Sequence, residues 1–316
     1  MIVLWIVLAV LLVLILAGLG LLYYICVRHR QPDMTDPDWI AHSRLAAYQD
    51  EVLAGINLIR QGGAEDIYLR SYDDLRLHGQ LLQQPNAKGT LLLFHGYRSG
   101  WPVDFSISLP YYYSLGYNLL VVDQRAHGQS EGTYIAFGVQ ERHDAVTWAE
   151  YAAMHFGPEH PLFLGGLSMG ATSVLMAAGL KLPASVRGII ADCGFTSPAE
   201  IMKSVLHAHC KWLPAAPLLA FVNIFTTLFA GFSLKEASTT QALAAATLPV
   251  LLIHGTSDSF VPACMSQQAY DACASQKELV LVDGADHGCS YLVDRTRVQA
   301  ALAAFLQQHT TKEEHT

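Results

Sequence analysis

The 316-residue chain is poor in charged side chains, and no block of lysine and arginine occurs in it. Only 15% of its residues are charged and the formal net charge is −8, so a nucleic-acid partner is not expected. No sequence repeat occurs at a fixed period, and none of the six cysteines forms a CxxC pair. A repeat fold, a disulfide framework and a metal site are therefore not expected, and no motif in the sequence indicates a cofactor.

The N-terminal segment lacks charged side chains altogether from Ile2 to Val27 and consists mainly of leucine, valine and isoleucine. At about 1.5 Å per residue, this run can cross a hydrocarbon core of about 30 Å with some tilt. The sequence therefore predicts a transmembrane anchor over residues 1–27. The alternative is a cleaved signal peptide, but that requires a basic n-region and an apolar core of about 7–15 residues, neither of which is present.

The residues after the anchor predict its orientation and its connection to the rest of the chain. Arg28, His29 and Arg30 follow the apolar run directly, so the positive-inside rule places the C-terminal part in the cytoplasm. Apolar residues recur at helical spacing over residues 36–61, which predicts a juxtamembrane helix within a linker of residues 28–63. This helix could lie on lipid or pack on the surface of the following domain.

From residue 64 onward, strand-like segments alternate with helical patterns. The first two predict an antiparallel hairpin, and six later ones are continuously apolar, as in a parallel sheet buried on both faces: GTLLLFH, NLLVVD, PLFLGG, GIIADC, PVLLIHG and ELVLVDG. Helical patterns cover residues 104–115, 139–156, 168–182, 263–274 and 291–308. The alternation predicts an α/β domain of residues 64–310, with a mostly parallel eight-stranded sheet and helices on both faces. A polar tail of residues 311–316 follows.

The stretch GGLSMG at residues 165–170 places Ser168 between a predicted strand and a predicted helix. This is the setting of a G-x-S-x-G nucleophile elbow, in which Gly166 and Gly170 permit a sharp turn that exposes the serine hydroxyl at the carboxyl edge of the sheet. The alternative is a serine that only caps the following helix. A nucleophilic role requires a base and an acid further along the chain.

A base and an acid follow in the order that this elbow requires. His287 lies in the loop after the last predicted strand, and Asp258 lies in the loop after the strand before it. Asp258 could accept a hydrogen bond from one ring nitrogen of His287, hold the ring in the required tautomer and stabilise the imidazolium formed during the reaction. Asp192, Asp283 and Asp286 are alternative acids, although the last two neighbour His287 and suit turns.

Two backbone amides are expected to stabilise the oxyanion. One belongs to Met169, directly after Ser168, and the other to Tyr97 in the loop after the strand GTLLLFH, where His95 would shape the loop. The segment DQRAHGQSEG supplies four further polar residues ahead of the nucleophile, for which we expect structural hydrogen bonds rather than catalysis: Asp123, Arg125, His127 and Ser130.

Five motifs resemble those of the α/β-hydrolase superfamily in order and spacing: HGYRSG, DQRAHGQSEG, GLSMGA, HGTSDSFVP and GADHG. More narrowly, the chain resembles the serine aminopeptidase and monoacylglycerol-lipase-like group, including its membrane-anchored bacterial members. The resemblance covers roughly residues 65–310 and implies the α/β-hydrolase fold with a triad of Ser168, Asp258 and His287. It does not identify a substrate, because the same fold serves esterases, lipases, thioesterases, amidases and peptidases.

An apolar insertion over residues 196–247 is predicted to form a small helical cap. Seven of its side chains would form a roof over Ser168 that favours an acyl chain: Leu218, Leu219, Phe221, Ile224, Phe225, Leu228 and Phe229. In the alternative, these side chains only pack on the sheet. The expected function is a membrane-anchored serine hydrolase that cleaves small-molecule esters of apolar or lipid-like acyl groups, with no metal or cofactor. An amidase or peptidase, and a non-catalytic binding protein of the same fold, are the alternatives.

Overall fold

The computed structural model describes residues 1–310 and is built around one eight-stranded β-sheet. The strands are β1 (Glu65–Arg70), β2 (Arg76–Leu82), β3 (Gly89–Phe94), β4 (Tyr117–Asp123), β5 (Leu162–Leu167), β6 (Val186–Asp192), β7 (Val250–Gly255) and β8 (Lys277–Val282). Their order in the sheet is β1-β2-β4-β3-β5-β6-β7-β8. β2 runs antiparallel to β1 and β4, and the remaining neighbours are parallel. The predicted polar tail, residues 311–316, lies outside the described residues.

The burial of the strands explains their apolar sequences. Every residue of β3, β4, β5 and β7 is buried, because helices cover both faces of the sheet there. The edge strand β1 instead alternates exposed and partly exposed residues, which suits a strand with one covered face. The prediction of a mostly parallel eight-stranded sheet is confirmed.

Helices lie before the sheet, between its strands and after it. In chain order they are α1 (Ile2–Cys26), α2 (Pro37–Ala41), α3 (Gln49–Gln61), α4 (Trp101–Asp104), α5 (Leu109–Ser114), α6 (Glu141–Phe156), α7 (Met169–Ala177), α8 (Pro198–His209), α9 (Ala215–Phe225), α10 (Thr239–Ala244), α11 (Cys264–Ala272), α12 (Ser290–Val293) and α13 (Arg295–Thr310). Buried residues of α3, α5 and α13 share one core with the sheet. Those of α6, α7, α10 and α11 share the core on its other face.

Three helices that the periodicity predicts as continuous are interrupted. The segment 104–115 contains Pro110, which cannot donate a backbone hydrogen bond inside a helix, and α5 begins one residue earlier, at Leu109. The segment 291–308 is divided into α12 and α13 at Asp294, whose backbone is not helical. The segment 36–61 comprises α2, a 3-10 turn at Ala46–Tyr48 and α3.

The segment between α1 and the sheet packs on the domain. Ile40, Val52, Ile56 and Ile59 are at most 1% exposed and join the core formed with one face of the sheet. Of the two predicted placements of the juxtamembrane helix, the structure therefore shows the one in which the helix packs on the domain. Residues 40–59 therefore contribute buried side chains to the core of the domain.

The long N-terminal helix contacts the cap. α1 is 25 residues long and is the one helix among the described residues that is long and apolar enough to cross a membrane. The cap lies between β6 and β7 and consists of α8, α9, a π-helical turn at Thr226–Ala230 and α10. Val222 and Phe225 of α9 share a buried cluster with Leu22 and Cys26 of α1.

Candidate active site

Ser168 occupies a strained turn between β5 and α7. Its φ is +55° and its ψ is −115°, a backbone conformation that a side-chain-bearing residue seldom adopts outside functional sites. The flanking glycines permit this turn, because a Cβ on Gly170 would lie 1.8 Å from the Phe94 carbonyl oxygen and one on Gly166 would lie 2.3 Å from the Gly170 carbonyl carbon. The serine is 4% exposed and is held at the carboxyl edge of the sheet, the position expected of a nucleophile elbow.

The loops after β7 and β8 bring Asp258 and His287 to this serine. His287 Nε2 lies 2.9 Å from Ser168 Oγ, and His287 Nδ1 lies 2.7 Å from Asp258 Oδ2. With the proton on Nδ1, the ring donates to the carboxylate and its Nε2 is free to accept the serine proton. The arrangement has the hydrogen-bond connectivity that serine-hydrolase chemistry requires.

Asp258 is buried and held as an anion. Burial alone would raise the pKa of its carboxyl, but hydrogen bonds from His254 and His287 and from the Val261 amide hold that pKa well below its usual value. The Val261 and Phe260 amides donate to Oδ1 at 2.7 and 2.9 Å, which leaves Oδ2 for His287. Asp258 therefore remains charged near neutral pH and can stabilise an imidazolium.

His254 also contacts the Asp258 carboxylate, a contact that the sequence patterns do not predict. Its side chain is fully buried, and its Nε2 lies 3.2 Å from Asp258 Oδ2 and 2.9 Å from the Val261 carbonyl oxygen. Its Nδ1 lies 2.6 Å from Ser266 Oγ. The available signal was its place at the end of an apolar strand, four residues before Asp258, but that position is equally compatible with a residue that only fills the core.

The alternative acids are engaged elsewhere. Asp192 lies 3.2 Å from Ser290 Oγ. Asp286 Oδ1 accepts hydrogen bonds from the Ser259 amide and hydroxyl and from the backbone amide of His287, so it shapes the turn that carries the histidine. Asp283 accepts from the Thr256 hydroxyl at 3.0 Å.

The oxyanion loop, residues 95–99, lies against the elbow. A Cβ on Gly96 would be 3.4 Å from Ser168 Cβ, which shows how closely the two backbones approach. The Gly96 amide donates to Asp104 Oδ2 at 2.6 Å, and the Arg98 amide donates to His127 Nε2 at 3.0 Å. The amides on either side of Tyr97 are thus engaged within the protein, and the Tyr97 and Met169 amides remain the predicted donors to an oxyanion.

The oxyanion loop also contacts the end of α1. The Tyr97 hydroxyl donates to the Ile25 carbonyl oxygen at 2.6 Å, and burial raises the pKa of this hydroxyl to about 12, so it remains a donor. The Arg98 guanidinium donates to the Tyr24 carbonyl oxygen at 2.5 Å, as cations commonly do at a helix C-terminus. The long N-terminal helix therefore ends directly beside the candidate site.

The polar residues upstream of the nucleophile form structural contacts. Arg125 is buried and pairs with Asp144 at 2.6 Å and with Asp73 at 3.0 Å. Burial lowers the pKa of His127 to about 3, so its ring is neutral, donates from Nδ1 to the Arg125 carbonyl oxygen and accepts from the oxyanion loop at Nε2. His95 similarly joins Gly96 to the loop after β4 through Gln124.

A cavity of about 550 Å³ opens over Ser168 and His287. Its apolar wall is formed mainly by five residues from four segments: Met34, Trp39, Val103, Leu167 and Phe260. None of the described residues that line this cavity belongs to the cap. The prediction that the cap forms a roof over Ser168 is therefore wrong. Residues 31–44 supply one side of the wall, because α2 and α3 pack on the sheet and carry this segment across the site.

One group of potential metal ligands lies in the described part of the chain, and it overlaps the candidate triad. Ligand atoms of Cys193, Asp258 and His287 lie within 4.8 Å of one another. Burial raises the pKa of the Cys193 thiol well above its usual value, which disfavours the thiolate that a metal would need. The other two residues already bond to each other, so this group suits proton transfer better than metal binding.

The sheet order, the elbow after β5 and the loops after β7 and β8 define an α/β-hydrolase, which confirms the fold that the motifs predicted. The family model described as the prolyl oligopeptidase family (Peptidase_S9) matches residues 103–313, and the chain belongs to this family. Among solved structures, an esterase from Pyrococcus furiosus aligns with a TM-score of 0.64 at 21% identity and covers 78% of this chain and 92% of its own.

Two relatives illustrate the range of similar sequences. The uncharacterized protein YqkD of Bacillus subtilis is 29% identical over 241 residues, which are 74% of this chain and 75% of that protein. The lysophosphatidylserine lipase ABHD12 of Danio rerio is 29% identical over 171 residues, which are 52% of this chain and 42% of that protein.

Replacing Asp192 with asparagine should change how folding stability depends on pH. Burial raises the pKa of the Asp192 carboxyl from 3.8 to about 6. As pH rises, the unfolded chain loses this proton first, so stability is lost between about pH 4 and about pH 6, by up to about 3 kcal/mol. Asp192→Asn should abolish this loss and unfold at higher denaturant concentration than the parent at pH 8, with little difference at pH 4. Equal or lower stability of the variant at pH 8 would contradict the effect.

Proposed function

We propose that this α/β-hydrolase is a membrane-anchored serine esterase that uses Ser168 as nucleophile, His287 as general base and Asp258 as the residue that orients the base. The observation that carries the proposal is the continuous chain of two contacts, 2.9 Å from Ser168 to His287 and 2.7 Å from His287 to Asp258. The strained backbone of Ser168 and the charged state of Asp258 support the same roles.

The proposed reaction proceeds through an acyl-enzyme. Ser168 Oγ attacks the ester carbonyl carbon as its proton moves to His287 Nε2, and the Met169 and Tyr97 amides stabilise the negative oxygen of the tetrahedral intermediate. When this intermediate collapses, the carbon–oxygen bond to the leaving alcohol breaks and His287 returns the proton to that alcohol. A water molecule, deprotonated by His287, then attacks the acyl carbonyl. The bond from the acyl carbon to Ser168 Oγ breaks, His287 returns the proton to that oxygen, and the acid leaves.

The cavity favours an apolar acyl group. Trp39, Met34 and Phe260 border the space beside Ser168, so burial of an acyl chain there would contribute about 0.8 kcal/mol per methylene removed from water. The activities named for two similar proteins agree with ester chemistry, since one is a lysophosphatidylserine lipase and the other an esterase. We therefore place the substrate among carboxylic esters with apolar or lipid-like acyl groups.

Peptide or amide hydrolysis is the second candidate, because the family whose model matches is named for an oligopeptidase. An aminopeptidase needs an acidic group for the free amine of its substrate. Among the lining residues, the acidic one is Asp104, and it is already bonded to the Gly96 amide, the Ser99 hydroxyl and Arg44. The engagement of Asp104 therefore counts against an aminopeptidase, whereas the substrate panel below separates esters from other amides.

Within this proposal, α1 anchors the protein in the cell membrane as a single span and the catalytic domain faces the cytoplasm. The length and composition of α1 support the anchor, and Arg28 and Arg30 after it support the orientation. The domain boundaries that accompany the proposal are an anchor at residues 1–27, a hydrolase domain that also includes the packed segment 28–63, and a cap at residues 196–247.

A fluorophosphonate probe and a substrate panel test this function together. The full-length protein in detergent should take up one probe molecule, and peptide mass spectrometry should place it on the peptide that contains Ser168. Hydrolysis of p-nitrophenyl esters should increase in kcat/KM from acetyl to octanoyl, by up to about fourfold per methylene bound, whereas aminoacyl anilides should be poor substrates. Labelling of another residue would refute the nucleophile, and a flat ester profile with efficient anilide cleavage would favour the amidase.

A further inference from the structure

α1 and the cap pack closely within the part of α1 that would cross the membrane. Gly18 of α1 lies against the ring of Phe225, and a Cβ at residue 18 would be 2.1 Å from two ring carbons. Leu22 and Cys26, one and two turns further on, are also buried in the cluster that contains α9. The cap helix α9 is thus packed alongside the last two to three turns of α1.

The length of α1 determines where this contact lies relative to the bilayer. A hydrocarbon core of about 30 Å requires about 20 helical residues, and α1 has 25. At most about five residues at the C-terminal end can therefore extend beyond the core. Gly18 lies eight residues before the helix end at Cys26, so the Phe225 ring beside it lies about 4 to 12 Å below the edge of the hydrocarbon region.

The outward surface of the same cap segment is apolar. Ile224, Leu228 and Phe229 are 53%, 71% and 50% exposed, although Val222 and Phe225 face α1 and the domain. No charged residue occurs between Lys211 and Lys235. A group of exposed large apolar side chains on an uncharged segment is unusual for a surface that faces water.

The N-terminal flank of this segment has the composition of a bilayer interface. Lys211 and Trp212 precede α9 and are both exposed, with Trp212 81% exposed. Tryptophan and lysine favour the headgroup region, where an aromatic ring or an alkyl stem meets apolar chains and the polar group meets water.

We propose that residues 215–230 are embedded in the membrane leaflet that borders the catalytic domain, with Ile224, Leu228 and Phe229 in contact with lipid acyl chains. The proposal rests on α1 spanning the membrane, as put forward above, and adds a second lipid-contacting element. A lipid bilayer is the expected partner, because the exposed apolar side chains of the cap adjoin the exposed apolar side chains of α1. Since the end of α1 also contacts Tyr97 and Arg98, embedding the cap would hold the cavity beside the lipid surface.

Site-specific photo-cross-linking of the full chain tests the proposal. The photoreactive residue p-benzoylphenylalanine would replace Phe229, Leu11 or Tyr68 in separate preparations. Phe229 is 50% exposed on the cap, Leu11 is 49% exposed on α1, and Tyr68 is 49% exposed on β1, so exposure is matched at the three positions. Each protein would be reconstituted into phosphatidylcholine vesicles with an alkyne-tagged acyl chain and illuminated, and covalently attached lipid would be measured after click labelling.

We expect covalently attached lipid at positions 11 and 229 and none at position 68. Attachment at position 11 without attachment at position 229 would overturn the embedded cap while leaving the anchor intact. Absence of lipid at both positions would overturn the anchor and the embedded cap together. A cross-linked protein dimer at position 229, in place of lipid, would identify a second copy as the occupant and likewise overturn the proposal. Unchanged thermal unfolding of the three preparations shows that each is folded, and fluorophosphonate labelling tests the proposed serine chemistry separately.

Discussion

Ser168→Ala should lower kcat for ester hydrolysis by about 10⁶-fold, because the covalent route through the acyl-enzyme is lost. The residual rate would come from binding and from the amides of the oxyanion hole, which the substitution leaves in place. The fold should be retained, since the side chain shrinks by one oxygen whose hydrogen bond is to His287. Single-turnover kinetics with an octanoyl ester and thermal unfolding of both proteins provide the measurement.

Ser173→Ala is the matched control for this loss. Ser173 lies on the following turn of α7, is also buried, and donates to the Met169 carbonyl oxygen and to Gln124 rather than to the candidate base. Its replacement should leave kcat within about threefold of the parent, as expected for a serine outside the reaction. A Ser168→Ala protein that keeps more than a few hundredths of the parent activity would remove this serine from the nucleophile role.

Asp258→Asn should lower kcat by about 10⁴-fold. The asparagine oxygen can replace Oδ1, which accepts from the Val261 and Phe260 amides. Its amide nitrogen would then face His287 Nδ1 and donate to it, which places the ring proton on Nε2. In that tautomer Nε2 cannot accept the proton of Ser168, so the reaction slows although the fold is retained.

Asp192→Asn serves as the control for the acid. Asp192 lies at the end of β6, and its carboxylate bonds to Ser290 rather than to His287. We expect its replacement to change kcat by less than about tenfold, because His287 keeps its partner and its tautomer. If Asp192→Asn were the damaging substitution and Asp258→Asn the mild one, the acid of the reaction would lie at the end of β6 and not in the loop after β7.

The sequence determined the sheet and the order of the candidate catalytic residues because both depend on local features. Strands buried on both faces require continuous apolar runs, and six such runs occur in the chain. The elbow requires small residues around Ser168, since side chains at Gly166 or Gly170 would collide with nearby backbone. The loops after the last two strands then bring Asp258 and His287 together, because neighbouring parallel strands end at the same edge of the sheet.

The tertiary structure decided which segment covers Ser168 and what the cap packs against. An apolar run such as residues 215–230 can pack on a sheet, on another helix or on lipid, and its sequence is the same in each case. Here α9 packs on α1, while residues 31–44 reach the cavity because Val52, Ile56 and Ile59 of α3 bind that part of the chain to the sheet. The support of Asp258 by His254 is likewise tertiary, since it depends on how the loop after β7 folds back over the end of its own strand.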